Sequence, residues 1–144
     1  MIIKVKNIPQ TYKNFGQHAE QALNYTLTGR IEKHDTIPYD KGSDIQEYHI
    51  SVKSARFSLM SGNLCKAQDF EGIIAEYFEN VASDKWAYVT QDFTAYIMDS
   101  EQFKTFLMNF CTLARESSRH GGRYKVKMRS ESKKVLQWLQ LNVA

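Results

Sequence analysis

The spacing of hydrophobic positions changes repeatedly along the chain, and each change predicts an element. "IIKVKNI" alternates like a short strand ahead of Pro9. From about Lys13 to Thr28, Phe15, Ala19, Ala22, Leu23 and Leu27 recur at helical spacing, and Gly29 is a natural stop. Arg30 to His34 reads as a short strand, "IPYDKGSD" carries turn residues, and Ile45 to Lys53 reads as a strand continuing extended to Met60. A second helix is predicted from about Ala67 to Ala82, with Phe70, Ile73, Ile74, Tyr77, Phe78 and Val81 on one stripe.

"KWAYVT" and "FTAYIM" are aromatic and β-branched runs parted by Gln91 and Asp92, which predicts a hairpin. Asp99 with Gln102 has the spacing of a capping box for a third helix. That helix carries Phe103, Phe106, Leu107, Phe110 and Leu113 inward and ends before "SSRHGGR". "RYKVKMR" alternates again, sending Tyr124, Val126 and Met128 one way and Arg123, Lys125, Lys127 and Arg129 the other. A last helix near Glu131 to Leu141 holds Val135, Leu136, Trp138 and Leu139. The order predicts an α/β (α+β) domain, residues 1–144 as one unit, with a central mixed β-sheet flanked by helices.

Composition narrows the class. A hydrophobic content of 42% with two Pro and seven Gly is that of an ordinary globular chain. There is no run of 18 apolar residues and no signal-type segment, so the expected location is cytoplasmic, with no membrane partner. Cys65 and Cys111 have no metal-type spacing and read as small buried hydrophobes. His18, His34, His49 and His120 form no ligand pair, and Trp86, Tyr88, Phe93 and Tyr96 read as sheet packing.

The net charge of +3 says little, but its distribution says more. Between residues 115 and 134 there are eight basic side chains against two acidic ones, and the remainder has a slight acidic excess. Such a segment suits a polyanion, and Arg119, Arg123, Lys125, Lys127 and Arg129 are the candidate phosphate contacts. The competing reading is the solvated face of an edge strand, where Lys and Arg discourage pairing. No P-loop, GxGxxG, GxSxG or HExxH pattern is present.

The chemistry concentrates around "DKGSDIQEYHISVKSARFSL". In a continuous strand, Glu47, His49, Ser51 and Lys53 share one face at steps of about 6.5–7 Å. Metal-dependent phosphodiester cleavage needs carboxylates to hold Mg²⁺ and a basic group to orient water or offset developing charge. Asp44 at the strand entrance and Lys53 near its end have this form.

"FGQHAEQALNYTLTG", then "GSDI", then "HISVKSA" together resemble the core of the PD-(D/E)XK, or restriction-endonuclease-like, nuclease superfamily. The resemblance covers about residues 13 to 97. It implies a Mg²⁺-dependent (or Mn²⁺-dependent) DNA endonuclease that acts as a homodimer or as a subunit of a larger assembly. It further implies Asp44 as first metal ligand, Lys53 as catalytic lysine, Val52 as donor of a backbone carbonyl, and Glu20 as the Glu of the first helix. Asp40 is a weaker candidate for the first carboxylate. Ser51 stands where the family's pattern has Asp or Glu, and Glu47 or His49 would have to substitute for it. The alternatives are a nuclease-like module that has lost catalysis and binds nucleic acid or protein, or an interaction protein whose basic face docks onto an acidic partner.

Overall fold

The computed structural model describes residues 1–9, 14–30, 45, 48–54, 57–60, 70–81, 83–115, 124–128 and 130–143. Strand β1 (Ile2–Lys4) precedes helix α1 (Phe15–Thr28), then strands β2 (Ile50–Ser54) and β3 (Phe57–Met60). Helix α2 (Phe70–Asn80), the hairpin β4 (Lys85–Val89) and β5 (Thr94–Met98), and helix α3 (Ser100–Phe110) follow. Strands β6 (Thr112–Arg115) and β7 (Tyr124–Met128) and helix α4 (Lys133–Asn142) complete the order. No helix among the described residues is long and apolar enough to cross a membrane.

The helices end where local chemistry stops them. Asn14 caps α1, its side chain accepting from Gln17 N at 2.8 Å, and Gly29 closes it at φ 74° while its N–H bonds Tyr25 O. That left-handed geometry costs Gly little. The Asp99–Gln102 box caps α3 reciprocally.

The expected mixed sheet is present with four strands, and among the described residues three further strands form a second sheet that the sequence reading did not anticipate. The first runs β1-β5-β4-β2, with β2 parallel to β4 and the other pairs antiparallel. The second is antiparallel, β3-β7-β6. Sequence periodicity specifies which face of a strand is apolar but not its neighbour, so it does not report this division.

The four-stranded sheet separates two cores. On one face Ala87, Val89, Ala95, Ile97 and Ile50 pack with Ala19, Ala22 and Leu23 of α1. On the other, Trp86, Tyr88, Tyr96 and Met98 meet Phe103 and Phe106 of α3, Val126 and Met128 of β7, and Leu139 of α4. Each fully buried large side chain there contributes about 1.5–3 kcal/mol from removal of its apolar surface from water.

Four local expectations are corrected. The run Ile45 to Lys53 is not one strand: Ile45 and Ile50 exchange backbone hydrogen bonds at 2.9 and 3.1 Å, and the chain reverses between them. Ile45 and Ile50 are both buried, at 1% and 3% exposure. An odd separation would place them on opposite faces of a straight strand, so a reversal is what lets both enter the core. His49 supplies it with φ 53°, and Tyr48 beside it is 45% exposed.

Helix α3 also stops at Phe110 rather than continuing through Leu113, because Thr112–Arg115 pairs with β7. In turn β7 is the central strand of its sheet, not an edge, with Val126 and Met128 buried and Lys127 exposed as the alternation predicts. The β4–β5 loop spans Thr90 to Phe93, longer than the two residues expected, and ends on Phe93 at φ 60°. Packing of the Phe93 ring on Phe15 and His18, both centroids 5.6 Å away, holds that unusual geometry.

Candidate functional site

Helix α1 runs antiparallel along β2, and two contacts fix its phase. Near its start Gly16 lies so close to β2 that a Cβ there would sit 3.6 Å from Ser54 Oγ. Near its end Leu27 O accepts from the Tyr48 hydroxyl at 3.3 Å. Gly16, Glu20 and Leu27 fall on one stripe of the helix, and Glu20 is half-buried.

On β2 the face toward α1 carries Ile50, Val52 and Ser54, while Ser51 and Lys53 occupy the opposite face, in register with Trp86 and Tyr88. Val52 therefore lies on the α1 side of the sheet, and Ser51 and Lys53 on the other. Lys53 is half-buried. Ser51 is 5% exposed, and its Oγ lies 2.6 Å from Ser83 Oγ, a normal hydroxyl–hydroxyl hydrogen bond. His49 and Ser51 no longer belong to one strand face, because the reversal at His49 intervenes.

Asp44, Asp40 and Glu47 lie outside the described residues, as do Arg119, Arg123 and Arg129. Lys125 lies in β7, with its side chain outside the description. Lys127 is exposed and faces Thr112 of β6 and Ser58 of β3 in register. Among the described residues no three His, Cys, Asp or Glu side chains converge to hold a metal. The Glu20 carboxylate and the Val52 carbonyl are oxygen donors of the type Mg²⁺ takes, whereas the Ser51 hydroxyl lies on the opposite face of the sheet, bonded to Ser83.

Ser83 connects this strand to a feature the sequence reading missed. A cleft of about 330 Å³ opens at the start of β4, walled by Ser83 and Asp84 before the strand and by Ser100, Glu101 and Lys104 on α3. Ala75, Phe78 and Trp86 close its base. The Asp84 and Lys85 N–H groups both bond His49 O, at 2.9 and 3.3 Å, so the reversal before β2 also holds this wall. "DSEQFK" gave a helix cap, and nothing in it or in "SDKW" places the two segments side by side.

A second polar joint lies near the far end of β4. The Tyr88 hydroxyl donates to Glu131 Oε1 at 3.0 Å, and Gln91 N approaches Oε2 at 3.4 Å. Burial first, then the Glu131 charge and hydrogen bond, push the Tyr88 phenol well above its ordinary range. Burial alone pushes the Cys111 thiol up to about 12.

No family model, curated protein or solved structure matches this chain.

Proposed function

We propose that this chain is a restriction-endonuclease-like protein acting on DNA phosphodiester bonds in the cytoplasm, with Lys53 at the centre of its site. The observation that carries the reading is Lys53 itself: a half-buried lysine on β2, two residues beyond the buried Ser51 on the same strand face. Asp44, Glu20 and the Val52 carbonyl would hold Mg²⁺, or Mn²⁺ in its place, with Glu47 as a further carboxylate. The bound ion would polarise the phosphate and lower the pKa of a water. Lys53 orients that water or offsets charge developing on the phosphate. The segment bearing Arg119, Arg123, Lys125, Lys127 and Arg129 follows the backbone, and a homodimer or larger assembly would present two such sites.

The test is Mg²⁺ and Mn²⁺ calorimetry, with and without duplex DNA, on wild type and Asp44→Ala, followed by cleavage assays on Lys53→Ala. Site-specific binding lost in Asp44→Ala and cleavage abolished in a folded Lys53→Ala protein are expected. Loss of fold in Lys53→Ala would make that lysine structural and remove the argument for catalysis.

A second reading is favoured by Ser51, whose hydroxyl is buried on Ser83 at the position where the resemblance calls for a carboxylate. A hydroxyl binds Mg²⁺ more weakly than a carboxylate and brings no charge. In that reading the chain is a nuclease-like module that binds nucleic acid or protein without cutting. Negligible Mg²⁺ affinity together with salt-dependent DNA binding would establish it.

A further inference from the structure

We infer that α1 holds an alkali-metal cation, sodium or potassium, among Gln21, Asn24 and Glu20. The inference is independent of the nuclease reading, since it uses neither Asp44 nor Lys53.

Helix α1 is buried on two sides. Ala19, Ala22 and Leu23 pack toward the sheet. With about 3.6 residues per turn, Gln21 and Asn24 fall on nearly the opposite side, where an amphipathic helix ordinarily meets water. Yet Gln21 is 2% exposed and Asn24 3%. Gln21 Oε1 and Asn24 Oδ1 are both closed to solvent, and among the described residues no donor reaches either. Buried polar atoms are satisfied in the great majority of cases, so two such acceptors one turn apart point to a group that both bind.

The Asn24 amide has one orientation. Its Nδ2 donates to Arg30 O at 3.1 Å, and exchanging the two ends would set oxygen against oxygen there. Oδ1 is therefore directed away from Arg30. Gln21 precedes Asn24 at i, i+3 spacing and Glu20 precedes it at i, i+4, the two spacings that make side chains neighbours on a helix. Glu20 is half-buried, with its Oε1 closed to solvent. Three enclosed oxygens thus project from adjacent turns, and an amide or carboxylate oxygen only accepts.

What suits them is small and positive. An enclosed group of oxygens admits a single ion but no larger ligand. A buried water could donate to both amides, but the charge of the Glu20 carboxylate attracts a cation more strongly than a neutral molecule. One carboxylate with two neutral amides matches one positive charge. Mg²⁺ keeps several of its waters and Ca²⁺ gathers further carboxylates, whereas Gln17 and Thr28, the next residues along this side, are neutral.

The experiment follows thermal unfolding of the full chain by circular dichroism, at one ionic strength, in NaCl, KCl or choline chloride with EDTA. Choline is too large to enter. The wild-type midpoint should stand about 3 °C or more higher in NaCl or KCl than in choline chloride, and the better-fitting ion should give the larger rise. Gln21→Met removes one oxygen at nearly constant length and should melt alike in all three salts. Gln21→Glu adds a second carboxylate and should lower the salt concentration giving half the rise by about tenfold. Equal wild-type midpoints in the three salts, or a rise that Gln21→Met retains, overturns the inference and leaves the amides to an ordered water. A rise produced by CaCl₂ without EDTA, and by neither monovalent salt, overturns it in favour of a divalent site. Should Gln21→Met fail to fold, Gln21→Glu decides alone, and an unchanged half-rise concentration there sinks the idea.

Discussion

Toward α1, the hairpin β4–β5 presents Ala87, Val89, Ala95 and Ile97; toward α3 and β7, the same strands present Trp86, Tyr88, Tyr96 and Met98. Small residues on the first face meet Ala19 and Ala22, so helix and sheet backbones approach closely through an apolar contact. The second face spans a wider gap with rings: Trp86 stacks on Phe103 at 5.4 Å and 8°, and Phe106 contacts Tyr88, Phe110 and Trp138. Rings with polar tips need partners when buried, and Trp86 Nε1 finds Tyr77 Oη at 2.9 Å while Tyr88 finds Glu131. The lesson is that small aliphatics bring no polar side-chain atoms of their own to a face. A face filled by amphipathic rings carries hydroxyls, carboxylates and a cleft with it. Ser51, Lys53 and the cleft all belong to the second face.

The contrast can be tested from its largest effect downward. Trp86→Ala should cost about 3–5 kcal/mol in urea unfolding, since the ring and its stacking partners leave a cavity that neighbours fill only in part. A loss under 1 kcal/mol would mean the aromatic face is loosely packed. Ala87→Leu, on the other side of the same strand, should cost about 1–3 kcal/mol by pushing α1 away. A neutral outcome would show that α1 does not sit as tightly as the buried alanines imply.

Tyr88→Phe should cost about 1 kcal/mol at neutral pH, because Glu131 loses a donor. Its alkaline behaviour sharpens the comparison. Tyr88 and Cys111 both hold their protons more tightly folded than unfolded, so the unfolded chain releases protons first and stability falls as pH rises. For Cys111 the window runs from its ordinary value of 9.0 to about 12; for Tyr88 it opens above the ordinary phenol value of 10.0. Unfolding midpoints should therefore be flat below about pH 9 and decline above it. Cys111→Ala should flatten the first part of the decline and Tyr88→Phe the later part. An unchanged slope in both variants would place the alkaline sensitivity elsewhere.

Much of the architecture was legible because it rests on local causes. Asn14 and Gly29, the Asp99–Gln102 box, the β4–β5 hairpin and the alternation of Val126, Lys127 and Met128 all act within a few residues of themselves. The reversal at His49 was hidden because "EYHISVK" alternates plausibly as a strand, and only the joint burial of Ile45 and Ile50 rules that out. Strand β6 was hidden because Leu113 fits the helical stripe of α3; pairing with β7 outweighs that local preference. Of the candidate residues, the place of Lys53 on a strand and of Glu20 on the first helix were readable. The bond between Ser51 and Ser83, 32 residues apart, was not.

The sequence by itself determined the element types, their caps and which side of each strand is apolar, since those follow from periodicity and from side chains acting on nearby backbone. Tertiary structure alone decided that the strands form two sheets and that Ser51 turns onto Ser83. It also decided that Asp84 shares a cleft with Glu101 and Lys104. Those outcomes depend on pairings between distant segments, whose strength lies in the burial and hydrogen bonds formed once they meet, and no local pattern encodes which segments will do so.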